Sequence, residues 1–147
     1  MKHLERVVTV HQPAATVWDY LSDFRSTNDW DPGTVKTERT SGDGGLGTTY
    51  LNTSKFLGNT TEIVYTVTEL EPGRRITLRG ENKSVTTTDT ITVEGQEDGG
   101  VSRTVVTYRA DFEFHGIAKM TEPALGVPLK KLGDEAEAGL QKALSAL

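Results

Sequence analysis

The sequence predicts an α+β fold, a curved antiparallel sheet of about six or seven strands wrapped around a long C-terminal helix, with two short helices after the first strand. Three observations carry this expectation. Between Thr34 and Phe114, short runs rich in Thr, Val, Ile and Tyr are separated by turn clusters at hairpin spacing. After Gly116 the apolar period changes from alternation to helical spacing. A shorter stretch with the same helical period follows the first strand. The 147 residues, 35% hydrophobic and 25% charged, suit one globular domain spanning 1–147 rather than a disordered chain.

The elements follow in order. Residues 4–11 read as the first strand, with Val8 and Val10 on one face and Val7 and Thr9 on the other. Pro13 closes it and suits the start of a helix, where an amide would lack a partner anyway. From Ala14 to Phe24, Val17, Trp18, Leu21 and Phe24 form an amphipathic stripe. Ser22-Asp23 and the polar run Arg25 to Asp29 predict a break with a second short helical turn, after which Trp30-Asp31-Pro32-Gly33 returns the chain to the sheet. The strand separators are Ser41 to Gly45, Leu57-Gly58-Asn59, Glu71-Pro72-Gly73, Glu81-Asn82-Lys83 and Gly95 to Gly100. Links this short favour an antiparallel meander.

The last strand is the clearest, because Thr104, Val106, Tyr108, Ala110, Phe112 and Phe114 share one face while Arg103, Thr107, Arg109, Asp111 and Glu113 share the other. In the closing helix, Leu125, Leu129, Leu132, Ala136, Leu140, Ala143, Leu144 and Leu147 form an apolar stripe opposite a charged face. Pro123 and Pro128 are expected to interrupt its first turns.

A twisted sheet of this size curls, and a helix laid across it covers only part of the concave side. The middle strands offer polar side chains on both faces, as in Thr86 to Thr90 and Thr48 to Asn52, and inward polar groups need partners. A pocket supplies them. Strand alternation assigns Tyr50, Tyr65, Val67, Leu78, Asp89, Ile91, Val106, Tyr108 and Phe112 to its sheet wall, and the helix stripe adds Leu125, Leu129 and Leu132. Trp30, placed on a loop between two aspartates, fits either the core or the pocket rim and is counted with the ligand-binding residues.

The segments Val10 to Phe24, Trp30 to Gly33, Gly45-Leu46-Gly47-Thr48, Tyr65 to Arg75 and the leucine-rich helix together resemble the polyketide cyclase/dehydrase and lipid-transport branch of the START-like, helix-grip superfamily. The likeness spans essentially the whole chain, and its anchors are mostly structural. It implies a cavity between sheet and last helix that takes a lipid, polyketide or similar apolar molecule. It supplies no universal catalytic motif to transfer, and fold alone does not choose between carrier and enzyme.

Several function classes are disfavoured by the residues themselves. The absence of cysteine removes disulfides, thiolate metal sites and a cysteine nucleophile. A net charge of −5 with dispersed basic residues gives no footprint for nucleic acid. His3, His11 and His115 are isolated, so no metal is expected. The glycine-rich run Gly42 to Gly47 is followed by a strand rather than a helix and reads as a hairpin turn, and no cofactor motif is present. The opening MKHLERVVTV is too polar for a signal peptide or a membrane span, so the expected location is cytoplasmic. The sequons at Asn52, Asn59 and Asn82 are read as chance matches in a Thr-rich chain.

Two functions remain. One is a carrier or sensor of a small apolar molecule. The other is a cyclase or dehydratase using a general acid or base in the same cavity, for which Asp89, in phase with Ile91 and Val93, is the best candidate. His115 and Arg109 are weaker candidates, the first at a strand-to-helix turn and the second out of phase with the apolar face. A protein-docking role ranks last, because the outward faces are mostly Thr, Arg, Glu and Asp. Oligomeric state is not legible.

Overall fold

A computed structural model of the protein describes residues 2–147. Seven antiparallel strands form one sheet: β1 (Lys2–Val10), β2 (Thr34–Ser41), β3 (Thr49–Phe56), β4 (Asn59–Glu71), β5 (Arg75–Glu81), β6 (Val85–Asp98) and β7 (Val101–Phe114), in the spatial order β1-β7-β6-β5-β4-β3-β2. The meander from β2 to β7 runs by short turns, and β1 adds to its far end beside β7. Register irregularities between Thr34 and Lys36, Arg39 and Ser41, and Val67 and Glu69 bend the β2 to β4 side, as an extra residue in one strand does.

Turn chemistry sets the strand lengths. Leu57 and Gly58 both have positive φ, 53° and 80°, as a two-residue hairpin between right-twisted strands requires. Gly99 and Gly100 do the same for β6 and β7, so those strands run on to Asp98 and from Val101 through part of the segment expected to be a turn. The first strand likewise lies at 2–10 rather than 4–11.

Helix α1 (Ala14–Leu21) starts after Pro13 and ends earlier than its apolar period suggested. Ser22 caps it, and the Asp23 carboxylate accepts from the Arg25 amide, which turns Phe24–Ser26 into a single 3-10 turn leading into α2 (Thr27–Trp30). Asn28 fastens α2 to the sheet: its Oδ1 accepts from the Thr37 amide at 2.9 Å and its Nδ2 donates to the Thr37 carbonyl at 3.0 Å. The side chain thereby imitates one rung of a strand ladder.

After Gly116 the chain forms α3 (Ile117–Thr121), a 3-10 turn holding Pro123, and α4 (Gly126–Ser145), with Pro128 in its first turn. The buried face of α4 is Leu129, Gly133, Ala136, Leu140 and Leu144, whereas Leu147, at the chain end, is largely exposed. Two glycines let α4 approach its neighbours. A Cβ on Gly139 would lie 2.2 Å from the Trp30 carbonyl oxygen, and one on Gly133 would lie 2.7 Å from the Arg6 guanidinium. Arg6 crosses that gap to pair with Asp134 at 2.9 Å, tying β1 to α4.

Asn52 is buried and donates to Thr34 and Thr37, and Asn82 donates to Thr61 and the Glu62 carbonyl, so both side-chain amides of these sequons are occupied.

Candidate functional site

The concave side of the sheet divides into two halves. Over one half, α1 and the end of α4 press on the sheet, and Val17, Leu21, Ile76, Val93, Leu140 and Leu144 pack into a continuous core. Over the other half, α3 and the first turns of α4 stand off the sheet and leave a cavity of about 470 Å³. That volume suits a small organic molecule.

Each wall has a traceable origin. Tyr65 and Ile63 come from β4, Val85, Thr87 and Asp89 from β6, Tyr108, Phe112 and Phe114 from β7, and Leu125, Leu129, Leu132 and Ala136 from the helical side. Alternation places Val85, Thr87 and Asp89 on one face of β6, so an apolar residue, a hydroxyl and a carboxyl line the cavity in sequence. The mouth lies among Phe56, Leu57 and Asn59 of the β3–β4 hairpin, Asn82 and Ser84 of the β5–β6 turn, and Ala118 and Thr121 of the helical side.

The boundary between cavity and core is aromatic. Phe24 backs Tyr65, with ring centroids 4.7 Å apart, and Trp30 meets Tyr108 edge to face at 5.1 Å. Both tyrosines therefore have fixed rings, with Tyr108 reaching Asp89 through its hydroxyl. It donates to Asp89 Oδ2 at 3.1 Å. Asp89 Oδ1 and Thr87 Oγ1 are buried and make no hydrogen bond of good geometry among the described residues, although the Thr87 hydroxyl lies close enough to Asp89 and Tyr65 to interact weakly with both.

Burial pushes the Asp89 carboxyl up to about 7, opposed by the Tyr108 hydrogen bond and more weakly by the Thr87 hydroxyl, and reinforced by the negative charge of Asp31. Burial and the Asp89 charge in turn push the Tyr65 and Tyr108 hydroxyls well above their usual range, so both stay protonated and able to donate. Asp31, just past α2, is a second carboxyl in the cavity wall. It accepts from the Thr34 hydroxyl at 2.7 Å and the Gly33 amide at 3.3 Å, and burial raises its pKa in spite of both bonds.

Of the residues that alternation and periodicity nominated, Tyr65, Asp89, Tyr108, Phe112, Leu125, Leu129 and Leu132 meet around this cavity. Tyr50, Val67, Leu78, Ile91 and Val106 point to the concave side as expected but lie in the packed core outside the cavity lining, because the helical layer closes down over their part of the sheet. Trp30, expected on a loop, left open between core and rim and counted with the ligand-binding residues, is the last residue of α2 and belongs to the core outside the cavity lining, 2% exposed, with its indole Nε1 donating to Ser26 Oγ at 3.1 Å. The indole needs that partner in the interior, and the short helix supplies it four residues back. Asp31 was missed as a cavity group. Its signal was present in Asp31-Pro32-Gly33-Thr34, whose carboxylate caps its own turn, but nothing local said that the turn faces the cavity.

His115 and Arg109 stand elsewhere. His115 Nε2 lies 2.8 Å from Thr86 Oγ1, which pins the strand-to-helix turn. Arg109 is on the outer face, paired with Asp111 at 3.0 Å. Among the described residues, no three His, Cys, Asp or Glu side chains converge as metal ligands, and no helix is long and apolar enough to cross a membrane.

The family model described as polyketide cyclase / dehydrase and lipid transport matches residues 1–146. The chain belongs to this family. Solved structures agree on the fold of this polyketide cyclase/dehydrase and lipid-transport member. The Zhui aromatase/cyclase from Streptomyces sp. R1128 superposes with a TM-score of 0.78 at 19% identity, over 97% of this chain and 92% of that one. A conserved protein from Geobacillus kaustophilus gives 0.73 at 18% identity, over 99% and 96%. A START superfamily protein from Mycobacterium smegmatis gives 0.70 at 17% identity, over 98% and 94%. Identities this low establish the shared helix-grip architecture, so what the family member binds has to be argued from its own cavity. A search of curated protein sequences found no match.

Proposed function

We propose that the protein binds a small, largely apolar organic molecule in the cavity between the sheet and α4. The observation that carries this reading is the cavity itself, about 470 Å³ beneath a helix that packs tightly elsewhere along the same sheet. Leu125, Leu129, Leu132, Ile63, Val85 and Phe112 give it apolar walls, while Asp89, Thr87 and Tyr108 gather polar atoms on the β6–β7 side. A mostly apolar chamber with a few fixed polar groups is the usual form of a small-molecule site.

Two measurements test it. Native mass spectrometry of gently purified protein is expected to show a bound organic molecule, and the neutral probe N-phenyl-1-naphthylamine is expected to bind saturably at one site. Absence of both signals would count decisively against the reading.

A second reading, acid–base chemistry of the cyclase or dehydratase kind, is favoured by one specific feature. Asp89 combines a carboxyl raised to about 7, an Oδ1 without a well-formed hydrogen bond and an apolar surrounding, and general catalysis works best when the group titrates near the working pH. The fold likeness to an aromatase/cyclase supports the same idea. In this reading Asp89 takes a proton from an acidified carbon or returns one to a leaving hydroxyl. Turnover that survives Asp89→Asn unchanged would remove it.

A further inference from the structure

We propose that the β6 wall of the cavity recognises the protonated amine of an otherwise apolar ligand, with Asp89 as its counter-ion and the Thr87 hydroxyl as a second acceptor. This proposal rests on the ligand-binding reading above and specifies the chemistry of one end of that ligand.

The first ground is a pair of under-satisfied atoms. Asp89 Oδ1 and Thr87 Oγ1 are both buried, neither makes a hydrogen bond of good geometry among the described residues, and both belong to cavity-lining residues two apart on the same face of β6, with the Thr87 hydroxyl close enough to Asp89 and Tyr65 to interact only weakly with each. The other Asp89 oxygen is held by the Tyr108 hydroxyl, which orients the carboxylate. An ammonium has three donors and a full positive charge, so it can donate to both atoms and form a charge-assisted bond to the carboxylate, which a neutral hydroxyl at the same place does not.

The second ground is packing. A Cβ on Gly80 would lie 2.7 Å from the Tyr65 ring and 2.8 Å from Ile63 and from Thr87 Oγ1, so the bare glycine on β5 lets these side chains close against the strand and holds the Thr87 hydroxyl in the wall.

The third ground is charge. Asp89 faces Tyr65 from β4, Tyr108 from β7 and the field of Asp31 from beyond α2, with Asp111 contributing further negative potential from β7. Arg109 is spent on Asp111 outside the sheet. From α4 the lining receives Leu129, Leu132 and Ala136, which carry no charge, and β5 sets Leu78 and Gly80 beside Asp89 and Thr87. Lys55, the one basic residue of the lining among those described, is exposed on the β3 side of the mouth. Two carboxyls in an apolar chamber whose one basic residue is exposed at the mouth favour a cationic guest and disfavour an anionic one.

Titration calorimetry of the intact protein with decylamine, decanol and decanoate tests this, since the three share a chain length and differ at the head. At about pH 8, where Asp89 is ionised, decylamine is expected to bind about tenfold more tightly than decanol, with decanoate weakest. Asp89→Asn is expected to remove the roughly tenfold preference for decylamine over decanol, both measured on the same variant, and Thr87→Val to reduce that preference by a smaller factor. Lowering the pH to about 6 is expected to weaken decylamine with the wild-type chain, because Asp89 then takes up a proton. Equal affinity for the three probes, or an amine preference that persists in Asp89→Asn, overturns the proposal and leaves the apolar-cavity reading standing. Failure of all three to bind overturns both. Should Asp89→Asn fail to fold, the Thr87→Val and pH comparisons decide.

Discussion

Asp89→Asn gives a stability test that needs no ligand. In the unfolded chain the carboxyl titrates near its ordinary 3.8, and in the folded protein at about 7. The folded state therefore holds the proton more tightly. Below the unfolded value both states are protonated and the carboxyl costs nothing. As pH rises through the window from about 4 to about 7, the unfolded chain ionises first and stability is lost at about 1.36 kcal/mol per pH unit. The gap of about 3 pH units gives a total near 4 kcal/mol, fully lost above the folded value. The side chain is only 4% exposed, so solvent screening removes little of this. Asn does not ionise and carries no such slope. Urea unfolding of both proteins at intervals from about pH 4 to pH 8, followed by tryptophan fluorescence, isolates the difference from every other titrating group. The variant is expected to gain on the wild type by about 4 kcal/mol across that range. A difference that stays constant with pH refutes the reasoning, because it means that burial does not hold the proton on Asp89.

Three further outcomes follow from the packing. Tyr108→Phe removes the hydrogen bond that favours ionised Asp89, so the Asp89 titration, followed by carboxyl-carbon NMR, is expected to move to higher pH; a fall would contradict the assigned donor. Gly139→Ala drives a methyl into the Trp30 carbonyl oxygen, which the ideal position places at 2.2 Å, and is expected to destabilise by about 3 kcal/mol, read as a lowered Tm. Ala136→Phe places a ring in the cavity from α4; binding of N-phenyl-1-naphthylamine is expected to fall about tenfold while the protein stays folded by circular dichroism, and unchanged binding would move the site elsewhere.

The parts of the fold that local chemistry determines were legible in the sequence. The strict alternation of β7, the helical stripe after Gly116 and the turn residues between strands each encode their own element, and together they yield seven strands and a closing helix. Asp89 was legible for the same reason, since its phase with Ile91 and Val93 decides its face. How far α4 stands from each part of the sheet was not legible. Tyr50, Val67, Leu78, Ile91 and Val106 have the same inward phase as Tyr65 and Tyr108, and what separates core from cavity is where helices cover them. That distance depends on contacts such as Gly139 against Trp30 and Asn28 against Thr37, between residues remote in the chain or on different elements. Trp30 and Asp31 show the same limit. A tryptophan between aspartates reads equally as core or rim, and it is the short helix that turns the indole into the core and the next carboxyl toward the cavity.

The central claim is that a void bounded by one half of the sheet accepts an apolar guest. Methyl-resolved NMR during titration with decanol tests it most directly, because the two halves of the concave side carry different methyl groups. Saturable shifts are predicted at Ile63, Val85, Leu125, Leu129 and Leu132, with Ile76, Val106, Leu140 and Leu144 little changed. No saturable shift at the first set, or equal shifts across both, would contradict it.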